Sequence, residues 1–93
     1  MKLCWTHEAE EDRAAIFDFI ASDNPTAAQR MDIRFRDSVG RLAMHPMLGR
    51  AGRVAGTREL IPHKSYRIVY EVKDERIVIL AIVHTARMWP PLR

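Results

Sequence analysis

The seven consecutive apolar residues at 77–83, IVILAIV, constrain the fold more than any other feature of this chain. A strand that is apolar at every position is typical of the centre of a sheet that is covered on both faces. The segment before it, YRIVYEV at 66–72, alternates with the period of two that favours a strand. The residues KDE at 73–75 predict a turn between the two strands.

A short strand and a first helix are predicted for the N-terminal part of the chain. The apolar residues at 2–5 favour the strand, and Thr6 is a suitable N-cap for the helix that follows. Acidic residues crowd the first turns, where they complement the helix dipole. We expect this helix to end near Ser22. The residues at helical spacing on one face are Ala9, Arg13, Ile16, Phe19 and Ile20.

A second helix is predicted to start at Asn24 and Pro25, because asparagine caps helices and proline suits the first helical position. One apolar stripe defines its core-facing side, and we expect it to end near Met44. The stripe consists of Ala28, Met31, Phe35, Val39 and Leu42. Two helices joined by so short a link predict an antiparallel helical hairpin.

The complete pattern predicts an α+β fold in the order β-α-α-β-β-β. Residues 47–56 contain three glycines and favour a loop or a loose strand edge, and residues 57–61 favour a strand. The N-terminal helical hairpin should pack on one face of a mainly antiparallel sheet, because the helices come together before the main strands. The chain of 93 residues is long enough for a single domain, residues 1–93.

Charge is distributed unevenly along the chain. Residues 1–37 carry five basic and eight acidic side chains, whereas residues 38–93 carry ten basic and four acidic ones. The run from Arg41 to Arg58 contains four arginines and no acid. This asymmetry predicts a face that meets an anionic partner, either nucleic acid or an acidic protein segment. A chance imbalance in a basic protein remains the alternative.

Several classes of site are not supported by the sequence. The one cysteine, Cys4, lies in an apolar run and favours a buried thiol. The four histidines lack metal-ligand spacing, and the glycines of residues 49–56 fit no nucleotide-binding loop. We therefore expect no cofactor. The sequence shows no signal peptide and no apolar run that approaches a membrane span, so we expect a cytoplasmic protein with no membrane partner.

Phosphate chemistry without a metal is the activity that the polar residues favour most. If the strands that carry Arg58 and Arg67 pair as a hairpin, both guanidinium groups could point to one exposed face and hold a phosphate. The alternative is that Arg67 is a solvent-side residue and that Arg58 pairs with Glu59 or Glu71. His84, at the end of the last strand and near the basic loop, could transfer a proton or could simply pack there.

Four segments together resemble the RelE/ParE superfamily, the toxins of bacterial type II toxin–antitoxin modules. The segments are WTHEAEEDRAAIFDFIASDNPTAAQR, HPMLGRAGRVAGTREL, YRIVYEV and IVILAIVHTARMWP, and they span nearly the whole chain in the expected order. The resemblance implies the fold predicted above and a cognate antitoxin protein whose C-terminal segment wraps the toxin. It also implies that operator DNA is bound only through the antitoxin.

Two activities divide this superfamily. RelE-like members enter the ribosome and cut mRNA by directing its 2′-hydroxyl at the adjacent phosphate. On that hypothesis the resemblance makes Arg58 and Arg67 the phosphate-holding residues and His84 the general acid or base. Replacing Arg67 by Ala should then abolish toxicity without unfolding the protein. The residues that would contact nucleic acid are Arg41, Arg50, Arg53, Lys64 and Arg87.

ParE-like members instead inhibit DNA gyrase and lack the catalytic set. On this second hypothesis the chain acts by binding alone, and the loss of His84 should matter little. A third possibility is a degenerate toxin that only sequesters antitoxin. Trp89 near the C-terminus could stack on a base in the first case or seal the end of the core in any of them.

Overall fold

Two helices pack on one face of a five-stranded sheet in the computed structural model, which describes residues 1–91. The elements are β1 (Lys2–Trp5), α1 (His7–Ala21), α2 (Pro25–Leu42), β2 (Arg50–Ala51), β3 (Thr57–His63), β4 (Tyr66–Lys73) and β5 (Arg76–His84). The predicted order of strands and helices is confirmed. The loose strand edge predicted within residues 47–56 is the two-residue strand β2.

Both helices begin at the predicted caps. The Thr6 hydroxyl accepts a hydrogen bond from the Ala9 amide at 3.1 Å, and the Asn24 side chain accepts one from the Ala27 amide at 3.0 Å. Each bond satisfies one of the amides that a helix start leaves without an intrahelical partner. Pro25 occupies the first position of α2, as expected.

The core-facing side of α2 is as predicted, whereas that of α1 is only partly so. In α1, Ala9 is buried, and Ile16 and Ile20 pack against the core. Phe19 is 75% exposed, so its assignment to the packing face was wrong. One residue turns a helix by about 100°, so Phe19 lies well to one side of Ile20. Arg13 instead forms a bidentate ion pair with Asp32 of α2.

The sheet has the order β1-β5-β4-β3-β2, with β1 parallel to β5 and every other pair antiparallel. The mainly antiparallel sheet is therefore confirmed. The last strand lies inside the sheet as predicted, between β1 and β4, although the middle strand of the five is β4. Coverage of β5 on both faces was wrong: Val78, Leu80 and Val83 stay partly exposed, because the helices cover one face only.

The turn between β4 and β5 is built by Asp74 and Glu75. Their φ angles are 52° and 60°, and this pair of positive values is what the tightest hairpin turns require. The turn predicted for residues 73–75 is therefore confirmed.

A bulge in β3 decides which side chains share a face. The register shifts between Leu60 and His63, because this part of β3 contains one more residue than the facing part of β4, between Ile68 and Tyr66. Leu60 consequently lies opposite Ile68 on the inner face, which we define as the face that packs against the helices. Glu59 lies opposite Val69 on the other side, the outer face, because successive residues of a strand alternate between faces.

The start of α1 is tied to an irregular stretch of β5. The Thr6 hydroxyl donates to the Ile79 carbonyl at 2.9 Å, and the Asp12 carboxylate accepts from the Ile82 amide at 3.0 Å. Burial raises the pKa of Asp12, the bond from Ile82 works in the opposite direction, and nearby glutamates add to the rise. Among residues 1–91, no helix is long and apolar enough to cross a membrane.

Candidate functional site

The outer face carries a buried carboxylate surrounded by arginines. The Glu59 side chain is 6% exposed, and its Oε1 accepts a hydrogen bond from Arg67 Nη1 at 3.3 Å. Arg50 Nη2 approaches the same oxygen at 3.8 Å from β2. The other oxygen, Oε2, accepts from the Arg53 amide at 3.3 Å. Both carboxylate oxygens therefore have a hydrogen-bond partner, and Glu59 forms an ion pair with Arg67.

Arg67 is enclosed by groups of the protein itself. Besides the bond to Glu59, its Nη2 donates to the Arg87 carbonyl, in the segment that follows β5. Its Nε is buried and has no partner among the described residues. Only 15% of the side chain is exposed. A phosphate would have to displace the Arg87 carbonyl or the Glu59 carboxylate in order to reach this guanidinium.

Arg58 lies on the inner face and holds the turn that follows α2. Its Nη1 donates to the Gly49 carbonyl at 2.6 Å. The Gly49 amide in turn donates to the Tyr70 hydroxyl at 2.8 Å, and that hydroxyl donates to the Pro46 carbonyl at 2.8 Å. These bonds satisfy backbone groups that the tightly packed turn would otherwise leave without partners.

His84 ends β5 directly opposite Tyr66, and the two rings meet edge to face with centroids 5.7 Å apart. The ring is fixed by the Ala86 amide, which donates to His84 Nδ1 at 3.1 Å. A neutral imidazole whose Nδ1 accepts a hydrogen bond carries its proton on Nε2. In this geometry the backbone engages Nδ1, and Nε2 is the nitrogen that remains for another partner.

The three predicted catalytic residues are not brought together. Arg58 lies opposite Tyr70 on the inner face, whereas Arg67 lies on the outer face with Glu59. The prediction that both guanidinium groups share one face was therefore wrong, and the reason is the bulge in β3. Without the extra residue, Arg58 would lie on the same side of the sheet as Arg67.

The expected neighbourhood of His84 and the basic loop was also wrong. His84 lies opposite Tyr66, whereas Arg58 lies opposite Tyr70, four residues further along β4. The two residues are therefore separated by about 13 Å in the direction of the strands. Strands β4 and β3 lie between β5 and β2.

The five residues predicted to contact nucleic acid are all exposed. They fall into separate groups rather than one row. Arg50 and the backbone of Arg53 lie beside Glu59. Lys64 lies in the β3–β4 turn, where its carbonyl accepts from the Thr85 hydroxyl, and Arg87 follows two positions after Thr85. The remaining residue is Arg41, in the last turn of α2.

Two aromatic residues near His84 were missed from the sequence. His63 lies opposite Tyr66 in the β3–β4 register, so that His63, Tyr66 and His84 occupy adjacent positions on three strands. The available signal was the short polar turn KS at 64–65, which would place its two flanking residues opposite each other.

Comparison with known proteins gives a consistent picture. Residues 3–89 match the family described as ParE toxin of type II toxin-antitoxin system, parDE. Toxin RelE2 of Caulobacter vibrioides is 39% identical over 87 residues, which cover 94% of this chain and 98% of that protein. The putative toxin Y4kP of Sinorhizobium fredii is 34% identical over 90 residues, which cover 96% of this chain and 93% of the relative.

Two solved structures resemble the fold. A chain of the chromosomal ParDE TA system from P. aeruginosa superposes with a TM-score of 0.79 at 28% identity, covering 90% of this chain and 95% of that one. The YoeB/ParE toxin from Agrobacterium tumefaciens superposes with a TM-score of 0.65 at 22% identity, covering 90% and 98% of the two chains. The second likeness concerns the fold alone.

Proposed function

This chain belongs to the ParE toxin family of type II toxin–antitoxin systems, and from that premise we propose that it inhibits its target by binding rather than by cutting RNA. Toxins of these systems partner with a cognate antitoxin. The observation that carries the proposal is the β3–β4 register, which separates Arg58 from Arg67 across the thickness of the sheet.

Cleavage of RNA through its 2′-hydroxyl requires a base, an acid and phosphate-stabilising cations around one phosphate, each within about 3 Å of its reacting atom. Here Arg58 donates a hydrogen bond to the Gly49 carbonyl on one face of the sheet. On the other face, Arg67 donates to the Glu59 carboxylate and to the Arg87 carbonyl. The Nδ1 atom of His84 accepts from the Ala86 amide, in the segment that follows β5. These three side chains support structural roles better than a shared catalytic one.

A binding role draws support from the basic residues around β2. The Arg50 side chain is 67% exposed and only loosely engaged with Glu59, and Arg53 is exposed in the following loop. Exposed arginines present planar donors to carboxylates or phosphates of a partner. The target that a ParE-like toxin implies is DNA gyrase, and we place the contact with it at this edge of the sheet.

A supercoiling assay with purified gyrase and purified toxin tests this proposal. The wild-type toxin should inhibit supercoiling, and the charge reversal Arg50→Glu with Arg53→Glu should weaken inhibition by roughly tenfold or more. Arg30→Glu with Arg76→Glu is the matched control, because both arginines are exposed outside β2 and its loop and the pair undergoes the same change of charge. Equal inhibition by the double variant and the control would reject the assigned surface, and no inhibition at all would reject gyrase as the target.

Ribosome-dependent mRNA cleavage is the second candidate. Its support is the 39% identity to toxin RelE2 of Caulobacter vibrioides and the two exposed basic residues near His84. The amide of Arg87 donates to the His84 carbonyl, and Lys64 lies in the turn between β3 and β4, where its carbonyl accepts from the Thr85 hydroxyl. For this activity the segment after β5 would have to release Arg67 when the toxin binds the ribosome. The cleavage of a defined mRNA, mapped at nucleotide resolution, separates the two candidates.

For operator DNA we propose an indirect role of the toxin. The similarity to the ParE toxin family supports this role, because the antitoxin of such a pair would supply the contacts with DNA. In a gel-shift experiment the toxin–antitoxin complex should retard operator DNA at concentrations where the toxin alone does not. Retardation by the toxin alone would contradict this role.

A further inference from the structure

We propose that α2 docks an acidic amphipathic helix of the cognate antitoxin at Gly40, near the end of α2. A shallow cavity of about 520 Å³ lies there, open to solvent and mainly apolar. Its lining residues are Arg36, Asp37, Gly40, Arg41, Met44 and His45. None of them takes part in the Glu59 cluster or in β2, so this inference does not rest on the proposed contact with gyrase.

Gly40 is the first observation that points to a partner helix. It is exposed inside α2, and a Cβ added there would meet nothing within 4 Å. Glycine in the interior of a helix is destabilising relative to alanine, and neither close packing nor a positive φ requires it at this position. Where two helices cross, a residue without a side chain lets the partner approach closely. This glycine is therefore a suitable crossing point for a helix of another protein.

Met44 supplies the second, independent observation. It lines the same cavity and is 82% exposed, the highest value among the large apolar residues of 1–91. Met47 and Leu48 follow in the next turn of the chain and are also exposed, at 63% and 47%. Methionine adapts its shape to an apolar partner, and a bound partner stabilises the folded domain that it covers. The antitoxin fits this role, because toxins of this family partner with one.

The charges around the cavity favour an acidic occupant. Among residues 1–91, Arg41 forms no ion pair, and its Nη2 donates to the neutral Ser38 hydroxyl at 3.3 Å. The one acid of the lining, Asp37, is already paired with Arg36 at 3.1 Å. Carboxylates that flank the apolar stripe of a partner helix would therefore complement this surface.

The same features disfavour other occupants. A second copy of this chain that crossed at Gly40 would bring the arginines of both helices together, and like charges at an interface are costly. Phosphates of a nucleic acid would pair with the arginines but would gain nothing from the apolar surface of Met44. A helix with one apolar and one acidic side uses both features.

The test is isothermal titration calorimetry of the full chain with the full-length cognate antitoxin. Gly40→Leu should weaken binding by roughly tenfold or more, because the new side chain occupies the crossing point. The same variant should raise the thermal unfolding midpoint of the free toxin, because leucine favours helices more than glycine does. A variant that is more stable and binds less well has not lost its fold. Gln29→Leu, three turns earlier and exposed on α2, is the matched control and should leave the affinity unchanged.

Two further variants separate the apolar and the charged contributions. Met44→Ala should weaken antitoxin binding about three- to tenfold, because it removes apolar contact area. Arg41→Glu should weaken binding about tenfold, and Arg30→Glu, exposed elsewhere on α2, is the control with the same change of charge.

Unchanged affinity for the antitoxin in Gly40→Leu, or an equal loss in Gly40→Leu and Gln29→Leu, would overturn the proposal. If Gly40→Leu instead alters only gyrase inhibition, self-association or binding to nucleic acid, that partner is the occupant and the proposal is wrong. Calorimetry with the antitoxin involves neither gyrase nor mRNA, so its failure and that of the proposed function are distinguishable.

Discussion

The two faces of the sheet at the β3–β4 hairpin use their arginines differently. On the inner face, Arg58 donates to the neutral carbonyl of Gly49 and so secures a turn. On the outer face, Arg67 neutralises the buried carboxylate of Glu59. Both guanidinium groups donate hydrogen bonds within the protein, but only Arg67 pairs with a buried charge. Leaving that carboxylate without a cation would destabilise the fold. Whether an arginine on a strand is free to bind a ligand can therefore be judged only when its hydrogen-bond partners within the protein are known.

The largest expected effect is that of Arg67→Ala. The substitution leaves Glu59 buried without its closest cation, and we expect the free energy of unfolding to fall by about 3–5 kcal/mol. This differs from the initial expectation that the variant would lose toxicity and keep its stability. Urea denaturation monitored by circular dichroism measures the change.

Two control variants test the origin of that loss. Arg50→Ala removes the exposed arginine on the same carboxylate and should cost at most about 0.5 kcal/mol. The double variant Glu59→Gln with Arg67→Met removes both charges and should recover most of the stability lost in Arg67→Ala. If the double variant is as unstable as the single one, the outer face is not held by charge pairing.

On the inner face, Gly49→Ala should destabilise the protein by about 2–3 kcal/mol. A Cβ at this position would lie 2.7 Å from the Tyr70 ring and 2.8 Å from the Glu59 carbonyl oxygen. Gly40→Ala is the matched control, because a Cβ there meets nothing within 4 Å. Since Gly40 lies within α2, alanine should raise stability by about 0.5–1 kcal/mol. Thermal unfolding of both variants should show shifts of opposite sign, and two shifts of the same sign would contradict this packing.

A smaller loss is expected from Tyr70→Phe. The change removes the acceptor of the Gly49 amide and the donor to the Pro46 carbonyl, and should cost about 1–3 kcal/mol. Amide hydrogen exchange provides the specific readout, because Gly49 should lose protection while amides of the β4–β5 ladder keep theirs. Unchanged protection at Gly49 would show that the hydroxyl does not hold the turn.

The smallest effect concerns pH and Asp12. Because its pKa is raised in the folded protein, this carboxyl favours folding below the usual value of 3.8, and that contribution is lost as the pH rises through the folded pKa. Asp12→Asn keeps an acceptor for the Ile82 amide and does not titrate. Its stability relative to the wild type should therefore be higher at neutral pH than below pH 3.8, as measured by urea denaturation at both values. A difference that does not change with pH would contradict the role of burial.

Local features of the fold could be predicted from the sequence. The caps at Thr6 and Asn24 depend on residues a few positions away, and the α2 stripe depends on helical spacing alone. Phe19 was assigned to the wrong face of α1, because helical spacing does not specify which side of a wide apolar stripe packs against the rest of the protein. The parallel pairing of β5 with β1 could not be predicted, because it joins residues some seventy positions apart.

The candidate site was predictable by residue type but not by arrangement. The alternation of β4 correctly predicts that Arg67 and Tyr66 lie on opposite faces of the sheet. The bulge between Leu60 and His63 moves every earlier residue of β3 to the opposite face. Its one local signal is Pro62, because proline within a strand is tolerated at a bulge but does not specify how the register shifts. That one extra residue carries Glu59 to the face of Arg67 and takes Arg58 away from it.

If this toxin acts by binding alone, it should leave mRNA intact, and mapping mRNA ends in a cell-free translation reaction decides the point. Purified toxin is added to one defined message, and the 5′ ends are mapped by primer extension with and without ribosomes. The account predicts an intact message under both conditions. New ends that appear only with ribosomes, and disappear for His84→Gln, would contradict it.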